Sequence, residues 1–207
     1  MKITKVIYAF ALAAIVSACG EGTKKETTET TQADTAGVEV SYVINTDSSV
    51  LKWKGEMLKV KKHWGTLKLS EGSLTLRGNV ITAGSFTADL KTITPLDSAY
   101  DKKNTKEKLV AHLTNADFFA VDSFPTATFV VKKMEGNTLI GDLTVRGKTK
   151  EQKVTDVSVN VNGDMLAASG KLVFNRQDYG VSYSTGLKDF VLSDDIELNI
   201  TLKGAKK

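Results

Sequence analysis

Asp195-Ile196-Glu197-Leu198-Asn199-Ile200-Thr201-Leu202 places an apolar side chain at every second position and a polar one between. Successive side chains of a β-strand point to opposite faces, so this stretch reads as a strand with one face out of water. The same period recurs upstream. Val157, Val159 and Val161 alternate with Ser158, Asn160 and Asn162, and Asn162-Gly163 signals a turn. Phe86, Ala88 and Leu90 alternate with Thr87 and Asp89, and Ala127, Phe129 and Val131 with Thr128 and Val130. Residues 139–145 follow a Gly136-Asn137 turn, Leu172 and Phe174 form another inward pair, and Leu51 and Trp53 open a further strand. Leu67 and Leu69, then Glu71-Gly72, then Leu74 and Leu76 read as a hairpin. The pattern predicts about eight to ten strands, with Pro95 and Pro125 at strand boundaries.

Residues 104–114 break the rhythm. Asn104 and Glu107 have capping-box spacing, and Leu109 and Leu113 lie four apart, which predicts a short helix. No βαβ unit or repeat appears, so the chain is all-β with one helix. Evenly spaced strands with a single apolar face suggest a sandwich or a closed antiparallel barrel. Short strands, sparse aromatics and a Lys-rich end argue against a barrel with its apolar face toward lipid. The apolar face then points inward. An eight-stranded barrel is just wide enough to be filled by side chains or to hold one small ligand, and alternation leaves both open.

The N-terminus has its own logic. Lys2 and Lys5 precede an unbroken apolar run over residues 6–16, shorter than the ~20 residues that span a bilayer. Val16-Ser17-Ala18-Cys19 follows, and Cys19 is the only cysteine. The segment resembles a bacterial lipobox, which implies a signal peptide over residues 1–18 and acylation of Cys19. More than one chain on that cysteine gives stable anchoring to a membrane. Gly20, where an Asp would suggest inner-membrane retention, implies sorting to the outer membrane of the cell envelope, facing periplasm or surface. Residues 20–37 carry no aromatic or large aliphatic side chain and read as a disordered tether of roughly 20–25 Å. Residues 38–207 remain for one domain, without an intramolecular disulfide. The net charge of +4 loses two units when Lys2 and Lys5 leave with the signal. That charge, and the lack of a basic helix or RNP-like motif, argue against a nucleic-acid partner. Oligomeric state is not legible.

Three stretches resemble the YceI-like family of lipocalin-like, polyisoprenoid-binding periplasmic proteins. The first runs from Leu113 through Asp117-Phe118-Phe119 to Phe124-Pro125. The second is Gly141-Asp142-Leu143-Thr144-Val145-Arg146-Gly147-Lys148. The third is Asn175-Arg176-Gln177-Asp178-Tyr179-Gly180. Trp53-Lys54-Gly55 and His63-Trp64-Gly65 are similar to the first strands of tethered members. Residues 94–105 lie outside these motifs. The resemblance implies a closed, lipocalin-like barrel of about eight strands that binds one long apolar chain, polyisoprenoid or quinone in type.

Trp53, Phe86, Phe129, Leu143 and Phe174 are then candidates to line the tube, or else to fill a solid core. His63 follows Lys59, Lys61 and Lys62; the lysines read as a solvated strand edge, while His63 is a candidate for contact with a quinone or phosphate head group. Arg176 and Asp178 read first as an ion pair closing a barrel corner and second as ligand contacts. His112 reads as a packing residue of the helix. No nucleophile elbow, zinc-protease motif or phosphate loop is present, and two histidines 49 positions apart give no metal-ligand spacing. No cofactor, metal or catalytic residue is expected, which leaves a lipid binder or carrier. Two alternatives stand beside it. An envelope interaction module would have a filled barrel and an exposed apolar patch. A hydrolase or isomerase acting on a bound lipid, using Asp142, Asp178 or His63, would hold a carboxylate with a raised pKa in the cavity.

Overall fold

The computed structural model describes residues 37–57, 61–184 and 192–207. The signal segment, Cys19, most of the tether and Lys59 lie outside the described residues. Among the described residues, nine strands and one helix follow in order: β1 Glu39–Ile44, β2 Val50–Met57, β3 Lys61–Arg77, β4 Val80–Pro95, α1 Lys106–Thr114, β5 Thr126–Glu135, β6 Thr138–Val145, β7 Lys148–Asn162, β8 Met165–Asn175 and β9 Leu192–Lys206. From β2 to β9 each strand pairs antiparallel with the next, and β9 returns to pair with β2. The sheet is therefore a closed up-and-down barrel with eight positions around its wall.

Nine strands fill eight positions because β1 and β2 share one. Both run antiparallel to β3, Val43 opposite Ser73 and Leu51 opposite Leu67. Both also pair with β9. They form one strand broken at residues 45–49. The buried Ser49 hydroxyl mends the break: it donates to Asn45 O at 2.7 Å and accepts from Lys203 N at 3.0 Å.

β3 is where the sequence reading needs correction. Glu71-Gly72 is not a hairpin; the strand runs unbroken for 17 residues, and the turn comes at Gly78-Asn79. The pairing with β4 shifts register between Leu69 and Glu71, so the signal marks a bulge. Gly72 is small because Ile44 and Phe86 both lie 3.0 Å from where its Cβ would be. Bulges sharpen strand bending, which a small barrel requires. A second bulge sits at Asp156 in β7, with φ of 55°. It resets the alternation, so Val154 and Val157, three apart, both face inward.

α1 starts one turn position later than Asn104 and Glu107 suggest. Thr105 is the cap, accepting from Lys108 N at 3.3 Å, while Asn104 bonds back to Asp101. Pro95 ends β4 and Pro125 immediately precedes β5. The helix, the connections on either side of it and the 3-10 turn Arg176–Tyr179 all lie at one end of the barrel. The opposite end holds the hairpin turns at residues 78–79, 136–137 and 163–164 and β1, and Tyr42, Ile44, Leu76 and Leu166 are packed there.

Candidate functional site

Apolar side chains that point inward near the closed end, such as Leu74, Leu166 and Leu202, are buried. Further from that end, inward residues are only half-buried: Ile196, Leu198 and Ile200 on β9, Trp53 on β2, Phe86 on β4. Apolar groups facing inward without being covered border a void. That void is a cavity of about 350 Å³, within the ~300–1,000 Å³ range of small-molecule sites. Its wall is almost wholly hydrocarbon. Leu109 and Leu113 of α1 face it, and no helix residue is fully buried because the helix roofs a hollow.

The structure sorts the candidate residues cleanly. Trp53, Phe86, Phe129, Leu143 and Phe174 all border the cavity, and His63 and Arg176 stand at its rim. Trp53 Nε1 donates to Thr66 O at 3.2 Å, so its indole is fixed against the wall. Asp178 is not among the lining residues; it is exposed on the 3-10 turn. The expected Arg176–Asp178 pair is also corrected. Arg176, 3% exposed, reaches Asp194 at 3.0 Å and the Ser193 and Val181 carbonyls instead. Burial pulls its guanidinium down from the ordinary value, and Asp194 pulls it back up. Asp194 lies on the neighbouring strand β9, next to Asp195, which pairs with Asn175, and sequence spacing carries no signal for it. Asp178 sits only two residues away, but a tight turn sends its side chain outward.

His63 has a partner that the sequence reading missed. Its Nδ1 lies 3.2 Å from both carboxylate oxygens of Asp97, which is 6% exposed. Asp97 also accepts from Trp64 N at 3.2 Å, Ala99 N at 3.0 Å and the Tyr100 hydroxyl at 2.7 Å. Burial raises this carboxyl's pKa, but those hydrogen bonds outweigh it and hold Asp97 below the usual carboxylate range. Burial and the neighbouring carboxylate push the Tyr100 phenol well above its ordinary value. The Tyr100 ring stacks on His63, centroids 5.6 Å apart. Asp97 and Tyr100 come from residues 94–105, outside every motif, and contact His63 only because β4 ends beside β3.

His112 packs edge-on against Tyr183 and Phe118, centroids 4.4 and 5.1 Å away, and also borders the cavity. Burial lowers its pKa, and Asp117 partly offsets that. Arg146 is a second residue the sequence reading passed over. It donates to the Phe118 and Gly180 carbonyls at 2.7 Å each and to Ala116 O at 3.1 Å. It occupies a tight turn with Gly147, φ 50° and 70°, and Phe124 lies 2.9 Å from where a Gly147 Cβ would be. One guanidinium thus ties together all three motif stretches. The same stretches also supply cavity wall, through Leu113, Phe119, Leu143 and Arg176.

Asp142 lies outside the cavity in an ion pair with Lys132 at 2.7 Å. Asp97, the carboxylate beside His63, is shifted downward, opposite to what a general acid in an apolar site requires. Among the described residues no three His, Cys, Asp or Glu side chains gather as metal ligands, and no helix is long and apolar enough to cross a membrane.

Residues 42–204 match the model of the YceI-like domain. The chain is 31% identical over 148 residues to a UPF0312 protein of Staphylococcus epidermidis, covering 68% of this chain and 81% of that one. In three dimensions it resembles Burkholderia cenocepacia BcnA with a TM-score of 0.55 at 18% identity, covering 77% of this chain and 98% of that chain. It also resembles a polyisoprenoid binding domain from Saccharophagus degradans implicated in plant cell wall breakdown, with a TM-score of 0.52 at 11% identity, covering 81% and 99%.

Proposed function

The chain belongs to the YceI-like family, and from that membership we propose that it binds or carries, without covalent attachment, one long apolar lipid of polyisoprenoid or quinone type inside its barrel. The observation that carries this reading is the apolar cavity of about 350 Å³, bordered by α1 at one end and stopped by packed side chains at the other. A solid core would favour the interaction module; the barrel is hollow. The polyisoprenoid-binding description of the Saccharophagus neighbour points the same way.

The physics suits a chain without a catalytic group. Each buried CH₂ contributes about 0.8 kcal/mol, so an isoprene unit gains on the order of 3 kcal/mol before ordering costs. A few units in a preformed tube bind tightly with little help from hydrogen bonds. Anchoring belongs to the same proposal. Acylated Cys19 and the tether would hold the barrel beside an envelope membrane, the source or destination of such a lipid. Palmitate label that is incorporated in cells and lost in Cys19→Ser tests the anchor.

Trp53 provides the test of binding, because it borders the cavity while the other tryptophan, Trp64, is exposed on the outside. In a Trp64→Phe background, a short-chain menaquinone should quench Trp53 fluorescence saturably at one equivalent. Quenching that stays linear in quinone concentration would count against a site in the barrel.

A further inference from the structure

We propose that the rim of the cavity is a head-group site for a hydroxyl: His63, positioned by Asp97, accepts a hydrogen bond from a ligand O–H, and Lys61 donates one to the same oxygen. This rests on the lipid-binding reading above and adds the chemistry of the lipid's polar end.

Besides His63, three donors converge on the one buried carboxylate of Asp97, Trp64 N, Ala99 N and the Tyr100 hydroxyl, the arrangement that suits an ionised acid. A carboxylate can only accept, so His63 must carry its hydrogen on Nδ1. That fixes the tautomer, as a carboxylate behind a metal-bound histidine does. In the neutral ring Nε2 is then a bare acceptor. Tyr100 stacked on the ring holds its plane. Asp97 lies behind the histidine and does not border the cavity, whereas His63 does. No described residue bonds to Nε2. Lys61, two residues earlier on the same face of β3, also borders the cavity and supplies a donor. An acceptor and a donor side by side in a hydrocarbon wall match a hydroxyl, which both gives and takes. An ether or carbonyl oxygen uses Lys61 alone. An ionised phosphate offers only acceptors and leaves neutral Nε2 without a partner.

The test compares three probes with the same chain, geranylgeraniol, its methyl ether and geranylgeranyl phosphate, titrated into the delipidated full chain at about pH 8. The alcohol should bind about tenfold more tightly than the ether, the size of one good buried hydrogen bond. His63→Phe, which keeps a ring against Tyr100, should bring that ratio close to one. Asp97→Asn lets an amide N–H face Nδ1, moves the ring hydrogen to Nε2, and should turn the preference toward the ether. A positional role in packing alone would change both affinities together and leave the ratio intact. Equal binding of alcohol and ether by the unaltered chain would overturn the site, as would tightest binding of the phosphate with no effect of His63→Phe. If none of the three probes binds, the lipid-binding reading falls and this site with it; if all three bind alike, only the head-group site falls.

Discussion

Arg146 carries more of the barrel end than its position in a two-residue turn suggests. Its guanidinium meets three carbonyl oxygens from two separate segments, and a positive φ is tolerated to put it there. Hydrogen bonds from a charged donor contribute about 1.5–3 kcal/mol each, less where solvent reaches them. Arg146→Ala should therefore lower the stability by about 2–4 kcal/mol, read from the urea midpoint; Arg146→Lys should rescue little, because one ammonium nitrogen cannot occupy both positions that Nη1 and Nη2 of the planar guanidinium fill. His112 belongs to the same scale. Burial weakens its hold on a proton in the folded state, so the unfolded chain binds that proton more tightly. The stability linked to it is complete above the unfolded value of about 6.5 and is lost as pH falls below it. Urea midpoints at about pH 7.5 and 5.5 should converge in His112→Phe relative to the unaltered chain. An equal drop in both proteins would assign the acid sensitivity elsewhere.

At the scale of the element, β8 shows how much a strand's pattern discloses. Leu166, Ala168, Leu172 and Phe174 face inward and Met165, Ala167 and Val173 outward, as alternation dictates. Ala168 is a small inward residue beside the cavity. Ala168→Phe should fill the void, leave stability within about 1 kcal/mol because it enters empty space, and weaken lipid binding at least about tenfold. Loss of folding instead would mean the cavity wall cannot accommodate a ring. β3 shows where pattern fails. Glu71-Gly72 has turn residues between two alternating runs, and nothing local separates a turn from a bulge. The decision is made by Ile44 and Phe86, which come from other strands and crowd Gly72. The helix cap slipped by one residue for a similar reason: Asn104 finds Asp101, a competing partner in the loop before it.

At the scale of the whole molecule, the all-β class was legible in the pattern, while neither closure nor hollowness was. Period-two alternation reports which side of a strand is apolar and fits a sandwich as well as a barrel; closure was legible only through the family resemblance. Whether the enclosed space is filled depends on summed side-chain volume across eight strands, which no single stretch encodes. The aromatic wall residues were legible as inward-facing: Trp53, Phe86, Phe129 and Phe174 all border the cavity. The polar rim was only half legible. His63 stood out beside its lysines, but Asp97 and Tyr100 reach it from a loop without a recognisable pattern, and Arg176 takes Asp194 rather than the nearer Asp178. Contacts between residues far apart in sequence decide the rim, while periodicity decides the wall. The barrel's interior is mostly open hydrocarbon surface, which water wets poorly, so the cavity should be occupied whenever a suitable chain is present. Native mass spectrometry of the protein as purified from its membrane environment, followed by solvent extraction, tests that directly. One prenyl or quinone-type lipid retained per barrel, and absent from Ala168→Phe, is the expected result; a barrel that emerges empty and takes up neither added quinones nor added prenols would contradict it.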